Sequence, residues 1–171
     1  RQGIYDAGSG TVFRPGLESI RFLPDRPYLP PGTLRQALVN TKAEREVDDL
    51  KLTETLDLVG VKDVLTRAGG FDVEQEWDNL LSAHEQRLVS FARILITRPR
   101  FVVIANPYRD MAPETRARVS DLLKNSKVTL IVMGSRDSGG VEPDPQSFDS
   151  VIDLKPSGDW TQTKLSSGVA G

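Results

Sequence analysis

The stretch Phe101-Val102-Val103-Ile104-Ala105-Asn106-Pro107 decides the fold. Its continuous apolar run, set between Pro99 and Pro107, is too short for a helix and reads as a strand buried on both faces. Downstream, Pro113 opens a helix that carries Val119, Leu122 and Leu123. Val128 to Met133 then forms a second run rich in β-branched residues, again of the doubly buried type. Strand, helix and strand at this spacing make a βαβ unit, which predicts that the two strands are parallel neighbours. Val151 to Leu154 supplies a further strand, and the Gly- and Ser-rich tail at 166–171 is expected to be flexible.

Working upstream, Ser82 is an N-cap candidate. Glu85, three residues on, completes a capping box ahead of Leu88, Phe91, Ala92 and Leu95 on one helical face. Leu52 to Leu65 reads as two short helices broken at Gly60, and Gly69-Gly70 closes the segment. Thr33 is the N-cap expected for a helix over Leu34 to Val39. The prolines between Pro24 and Pro31 exclude helix there, because they fix φ and remove amide donors. Ile20 to Leu23 is a short strand, and Ala7 to Pro15 reads as a turn followed by a strand at Val12 and Phe13. The fold class is α/β: a parallel sheet flanked by helices, in one domain spanning 1–171, with a helical subdomain over about 32–80.

Composition narrows the function. The 22 basic and 24 acidic residues leave a formal charge of -2, which offers no electrostatic reason for a nucleic-acid partner. There is no cysteine and one histidine, so thiolate chemistry and His-rich metal sites are excluded. No apolar run approaches the roughly 20 residues that a membrane helix needs, and Arg1 to Asp6 do not make a signal peptide. The chain opens without methionine, in a segment that reads as the middle of something longer.

Four segments, in order, resemble the nucleotide-binding domain of ABC transporters, most closely the branch of peroxisomal fatty-acyl transporters and their bacterial counterparts. The likeness covers nearly the whole chain. Phe22-Leu23-Pro24-Asp25-Arg26-Pro27-Tyr28-Leu29-Pro30-Pro31-Gly32-Thr33-Leu34-Arg35 resembles the Q-loop and the start of the helical subdomain. Leu81-Ser82-Ala83-His84-Glu85-Gln86, leading into Ser90-Phe91-Ala92-Arg93, resembles the LSGGEQ signature and the helix after it. Phe101 to Pro107 stands where the Walker B strand ends in Asp-Glu, and Leu130 to Arg136 where the switch strand delivers a histidine. The resemblance implies a partial P-loop NTPase fold.

The departures from that pattern fall on its chemical positions. Asp25 replaces the glutamine that helps ligate magnesium, although a carboxylate is still a cation ligand. Ala105 replaces the Walker B aspartate and Asn106 the adjacent glutamate, leaving neither a metal partner nor a general base. Ser135 takes the place of the switch histidine, and Ala112 falls where the D-loop carries aspartate. Ala83 and His84 occupy the signature glycines, where backbone approaches phosphate closely. Ser82, Glu85 and Gln86 remain as remnants of the signature that the resemblance ties to nucleotide. The loop Gly-x-x-x-x-Gly-Lys-Ser/Thr does not occur. Ala7-Gly8-Ser9-Gly10 lacks the following Lys-Ser and reads as a turn, and by the family layout the phosphate loop would lie on the order of 20 residues before Arg1.

The expectation that follows is an ABC-like module without catalytic residues or metal, structural or regulatory in role. No cofactor is expected, ATP and magnesium entering only through a partner domain. The alternative is the degenerate half of an asymmetric transporter, completing its partner's ATP site through the signature. Arg26, Tyr28, Leu29, Thr33 and Arg35 form the expected docking surface. The expected partners are a membrane protein domain or a second ABC-like domain, a homodimer included, on the cytoplasmic side of a membrane. His84 is read as an inert exposed side chain, Asp25 and Asp110 as separate loop acids, and Trp77 and Trp160 as packing or surface anchors.

Overall fold

The computed structural model describes residues 11, 13, 15–16, 19–39, 47–108, 111–133, 148–155 and 157–165. Ser135, Asp110, the Ala7–Gly10 turn, Val12 and the tail lie outside the described residues. The chain divides into two units, Arg1–Val132 and Met133–Gly171.

In the first unit β1 (Ile20–Leu23) is followed by the extended proline-rich loop and by β2 (Gly32–Thr33), α1 (Leu34–Leu38), α2 (Asp49–Val59) and α3 (Asp63–Arg67). Next come β3 (Glu74–Gln75), α4 (Trp77–Leu80), α5 (Ala83–Thr97), β4 (Phe101–Ala105), α6 (Pro113–Asn125) and β5 (Thr129–Met133). Strands β1, β4 and β5 form a parallel sheet in that order, so the βαβ expectation holds. The β1–β4 register pairs Ile20 with Phe101 and Leu23 with Ile104. A two-residue antiparallel bridge, β2–β3, pins the start of α1 against the segment before α4.

Local chemistry accounts for the helix boundaries. Thr33 caps α1 in a full capping box, its hydroxyl accepting from the Gln36 amide while the Gln36 side chain accepts from the Thr33 amide. α2 starts three residues before Leu52 because the Asp48 carboxylate accepts from the Leu50 amide and caps it there. It stops at Gly60, whose φ of 87° lies in the left-handed region that glycine enters without strain. Ser82 and Glu85 form the expected capping box on α5.

One continuous core joins the inward side of the sheet (Leu23, Val102, Ile104) to Leu34, Leu52, Leu56, Trp77, Val89, Phe91 and Leu123. Two expectations are corrected. α5 is buried around most of its circumference, Gln86 through Ala92 without a break, while Leu95 is only half-buried; the helix runs through the middle of the unit and has no solvent face along that stretch. Nor are the two strands covered on both faces. Val102 and Ile104 are buried, but Phe101 and Val103 are half-buried, and on β5 the exposed residues alternate with half-buried ones. Ile131 is 47% exposed and Phe22 of β1 66%. No described element buries that second face.

The second unit holds a hairpin of β6 (Ser150–Leu154) and β7 (Trp160–Lys164), antiparallel with Leu154 opposite Trp160. β6 matches the expected strand. β7 was not expected, and Trp160 is a surface residue.

Candidate functional site

Three loops singled out by sequence meet at one side chain. Arg87, in the second turn of α5, is buried, and its guanidinium donates to the backbone carbonyl of Asn106 at 3.0 Å and to that of Asp25. A second contact joins it to the Asp25 carboxylate, with Nη2 3.7 Å from Oδ1. The loop after β1, the end of β4 and the start of α5 are therefore tied together by one buried cation, each bond charge-assisted.

Ala105 ends β4 with no donor atom to offer, and Asn106 follows with φ 45°, a left-handed conformation that asparagine tolerates better than most residues. The Asn106 carbonyl serves Arg87. Asp25, half-buried, faces a guanidinium, so its negative charge is already compensated. A hard divalent cation needs several oxygen ligands around an open position. These residues do not fit one: one carboxylate is opposed by arginine, and the strand end is methyl and occupied carbonyl. Among the described residues no group of three or more His, Cys, Asp or Glu stands in metal-holding geometry.

At the start of α5, Ser82 is exposed. Its hydroxyl donates to Glu85 Oε2 at 2.8 Å and accepts from the Glu85 amide at 3.3 Å. Glu85 accepts in addition from the Ser82 amide and from Arg67. Burial pushes the Glu85 carboxyl up, but the hydrogen bonds from the Ser82 amide and hydroxyl and from Arg67 together outweigh it and hold it below its ordinary value. Arg67 also donates to the Leu80 carbonyl and pairs with Asp63, bracing the α3 end against the turn before α5. Gln86 points inward, donating to Asp78 Oδ1 at 3.0 Å and to the Leu81 carbonyl. Of the signature remnants, Glu85 and Gln86 are thus engaged within the fold and Ser82 keeps an exposed position. Ala83 is exposed and His84 half-buried. Ala112 is exposed at the start of α6, where it makes no side-chain cap.

Residues of the expected docking surface separate into two groups. Arg26 and Tyr28 are exposed, Tyr28 to 64%. Leu29 is buried, Thr33 caps α1, and Arg35 is committed inside the unit. The Arg35 fork donates to both carboxylate oxygens of Asp72 and to Asp49, lies 5.3 Å from the Phe71 ring centroid, and stays 16% exposed. These bonds, from Asp72 first and Asp49 next, hold its pKa above the ordinary arginine value, and the reciprocal bond lowers Asp72. Sequence reasoning passed over Arg87 and Arg67. Their one signal was a cation inside or beside an apolar helical run, where a buried charge requires partners.

Comparison with known proteins fits this arrangement. No protein-family model matches the sequence. An ABC transporter ATP-binding protein of Synechocystis is 36% identical over 78% of this chain and 20% of its own length. The chain is similar to ABC transporter ATP-binding proteins, members of subfamily D among them. The lysosomal cobalamin transporter of Mus musculus is 27% identical over 88% of the chain, and sub-family D member 3 of Homo sapiens 26% identical over 75%. The chain spans a fifth to a quarter of the length of these relatives. The loop after β1, the start of α5 and the end of β4 are the segments whose sequence resembles the Q-loop, the signature and Walker B. No described helix is long and apolar enough to cross a membrane.

Proposed function

We propose that this chain is a catalytically inactive ABC-type module with a structural or regulatory role, docked on a membrane transport protein at the cytoplasmic face and without a bound cofactor of its own. One observation carries the reading: the end of β4 presents Ala105 and Asn106, and the Asn106 carbonyl is spent on Arg87. Hydrolysis needs a group that polarises water and a partner for magnesium. Neither stands there, and Asp25 is compensated by the same arginine. Exposed Arg26 and Tyr28 support a docking role for the loop after β1. A phosphate-release assay on the purified protein is expected to read no higher than a heat-inactivated control, and sustained turnover of ATP would overturn the proposal.

The exposure of Ser82 at the head of α5 favours a second reading, in which the chain completes an ATP site on an intact partner domain. Mixing with such a domain would then raise ATPase activity, and Ser82→Ala would remove the gain. No gain from any mixture counts against it.

A further inference from the structure

Two turns that lead into the sheet carry four cations. Arg98 and Arg100 lie between α5 and β4, and Lys124 and Lys127 lie where α6 gives way to β5. The turns are neighbours, because β4 and β5 are adjacent strands and the Thr129 amide donates to the Arg100 carbonyl at 3.1 Å. All four residues are exposed. None of the ion pairs among the described residues includes any of them, and neither turn contains a carboxylate. This corner stands at the opposite end of β4 from Asn106, on the order of 16 Å away at about 3.3 Å per residue.

A cation near a helix C-terminus is favoured by the helix dipole, and both α5 and α6 end here. Each end is equivalent to about half a negative charge. Asp121, exposed one turn back on α6, adds one more. Together they balance two of the cations and leave two. Nor does the dipole account for the backbone. Arg98 and Lys127 stand at φ 42° and 59°, the left-handed conformation that glycine usually fills just after a helix and that a Cβ makes costly. Cations held where glycine would be easier point to use by a partner.

The features that the corner lacks define that partner. None of the exposed large hydrophobic residues lies on either turn, so nothing there inserts into a lipid surface. The adjoining aromatic, Phe101, is half-buried, with the Arg100 guanidinium 5.2 Å from its ring centroid, and offers no open platform for a base. A long polyanion would run on over a chain of net charge -2, whereas a short one stays on the corner. We propose that Arg98, Arg100, Lys124 and Lys127 form a docking site for a short acidic peptide segment, a run of Asp and Glu in another protein. This site is independent of the ATPase reading, because it lies at the far end of β4 from the loops on which that reading stands.

The test is fluorescence anisotropy of a labelled deca-glutamate peptide titrated with the purified protein at low salt. The double variant Arg98→Gly/Lys127→Gly removes two charges and gives the backbone the residue that its angles favour, so it should stay folded in a thermal melt. It should bind the peptide about tenfold more weakly than the wild type. Lys51→Gln/Lys62→Gln, at two exposed lysines elsewhere, should bind as the wild type does. Equal affinity in the wild type and the glycine variant, or equal weakening in both variants, would overturn the proposal. Displacement of the peptide by phosphatidylserine vesicles or duplex DNA at a lower charge concentration than by unlabelled peptide would give the corner to a membrane or to nucleic acid and overturn it too. Should the glycine variant not fold, carbodiimide coupling of the peptide to the wild type decides: it should attach at Lys124 and Lys127, and attachment spread evenly over the lysines refutes the site.

Discussion

Arg87 concentrates the tertiary connections of the site. Replacing it with methionine keeps the volume but strands two backbone carbonyls, those of Asp25 and Asn106, without their donor. Leaving buried polar groups unpaired is costly, so Arg87→Met should lower stability by on the order of 3 kcal/mol in a urea titration. Glu85 makes a pH prediction. Its carboxyl is held below the ordinary value of 4.5, so the unfolded chain binds more protons than the folded one as acid is added. Its contribution is complete above that value and is lost as pH falls through it towards the lower folded pKa. Unfolding free energy should therefore decline from about pH 5 downward, and Glu85→Gln should flatten that part of the profile.

At the scale of elements, α5 organises the first unit. Phe91, 1% exposed, sits midway along it, and Phe91→Ala should cost about 3–5 kcal/mol, read by chemical denaturation. Leu58 on α2 is 53% exposed, and truncating it should stay within about 0.5 kcal/mol. The caps at Thr33 and Ser82 and the break at Gly60 were legible because each follows from a side chain or a missing Cβ acting on backbone within a few residues. Coverage of the second sheet face was not, since a run such as Phe101 to Ile104 reads the same whether or not another element packs on it. β7 left no trace: in Trp160-Thr161-Gln162-Thr163-Lys164 the sole apolar residue is exposed, and the strand exists through pairing with β6. The three segments of the candidate site were singled out through family resemblance. The tie between them was not, because Arg87 donates to main-chain carbonyls, which carry no side-chain signature.

The molecule as a whole is uneven. Val102 and Ile104 of β4 sit in the core, whereas every residue of β7 is exposed. A two-stranded ribbon is marginal in water, so amides of β6 and β7 should exchange with deuterium well before those of β4 under native conditions. Exchange at equal rates would show that the hairpin opens only with the whole unit. The sheet itself keeps an apolar side within reach of water, with Phe22 and Ile131 upon it. Such a surface should favour self-association of the native protein when it is concentrated. Dilution and cooling, which weaken apolar attraction, will preserve it in solution where a tighter core would not.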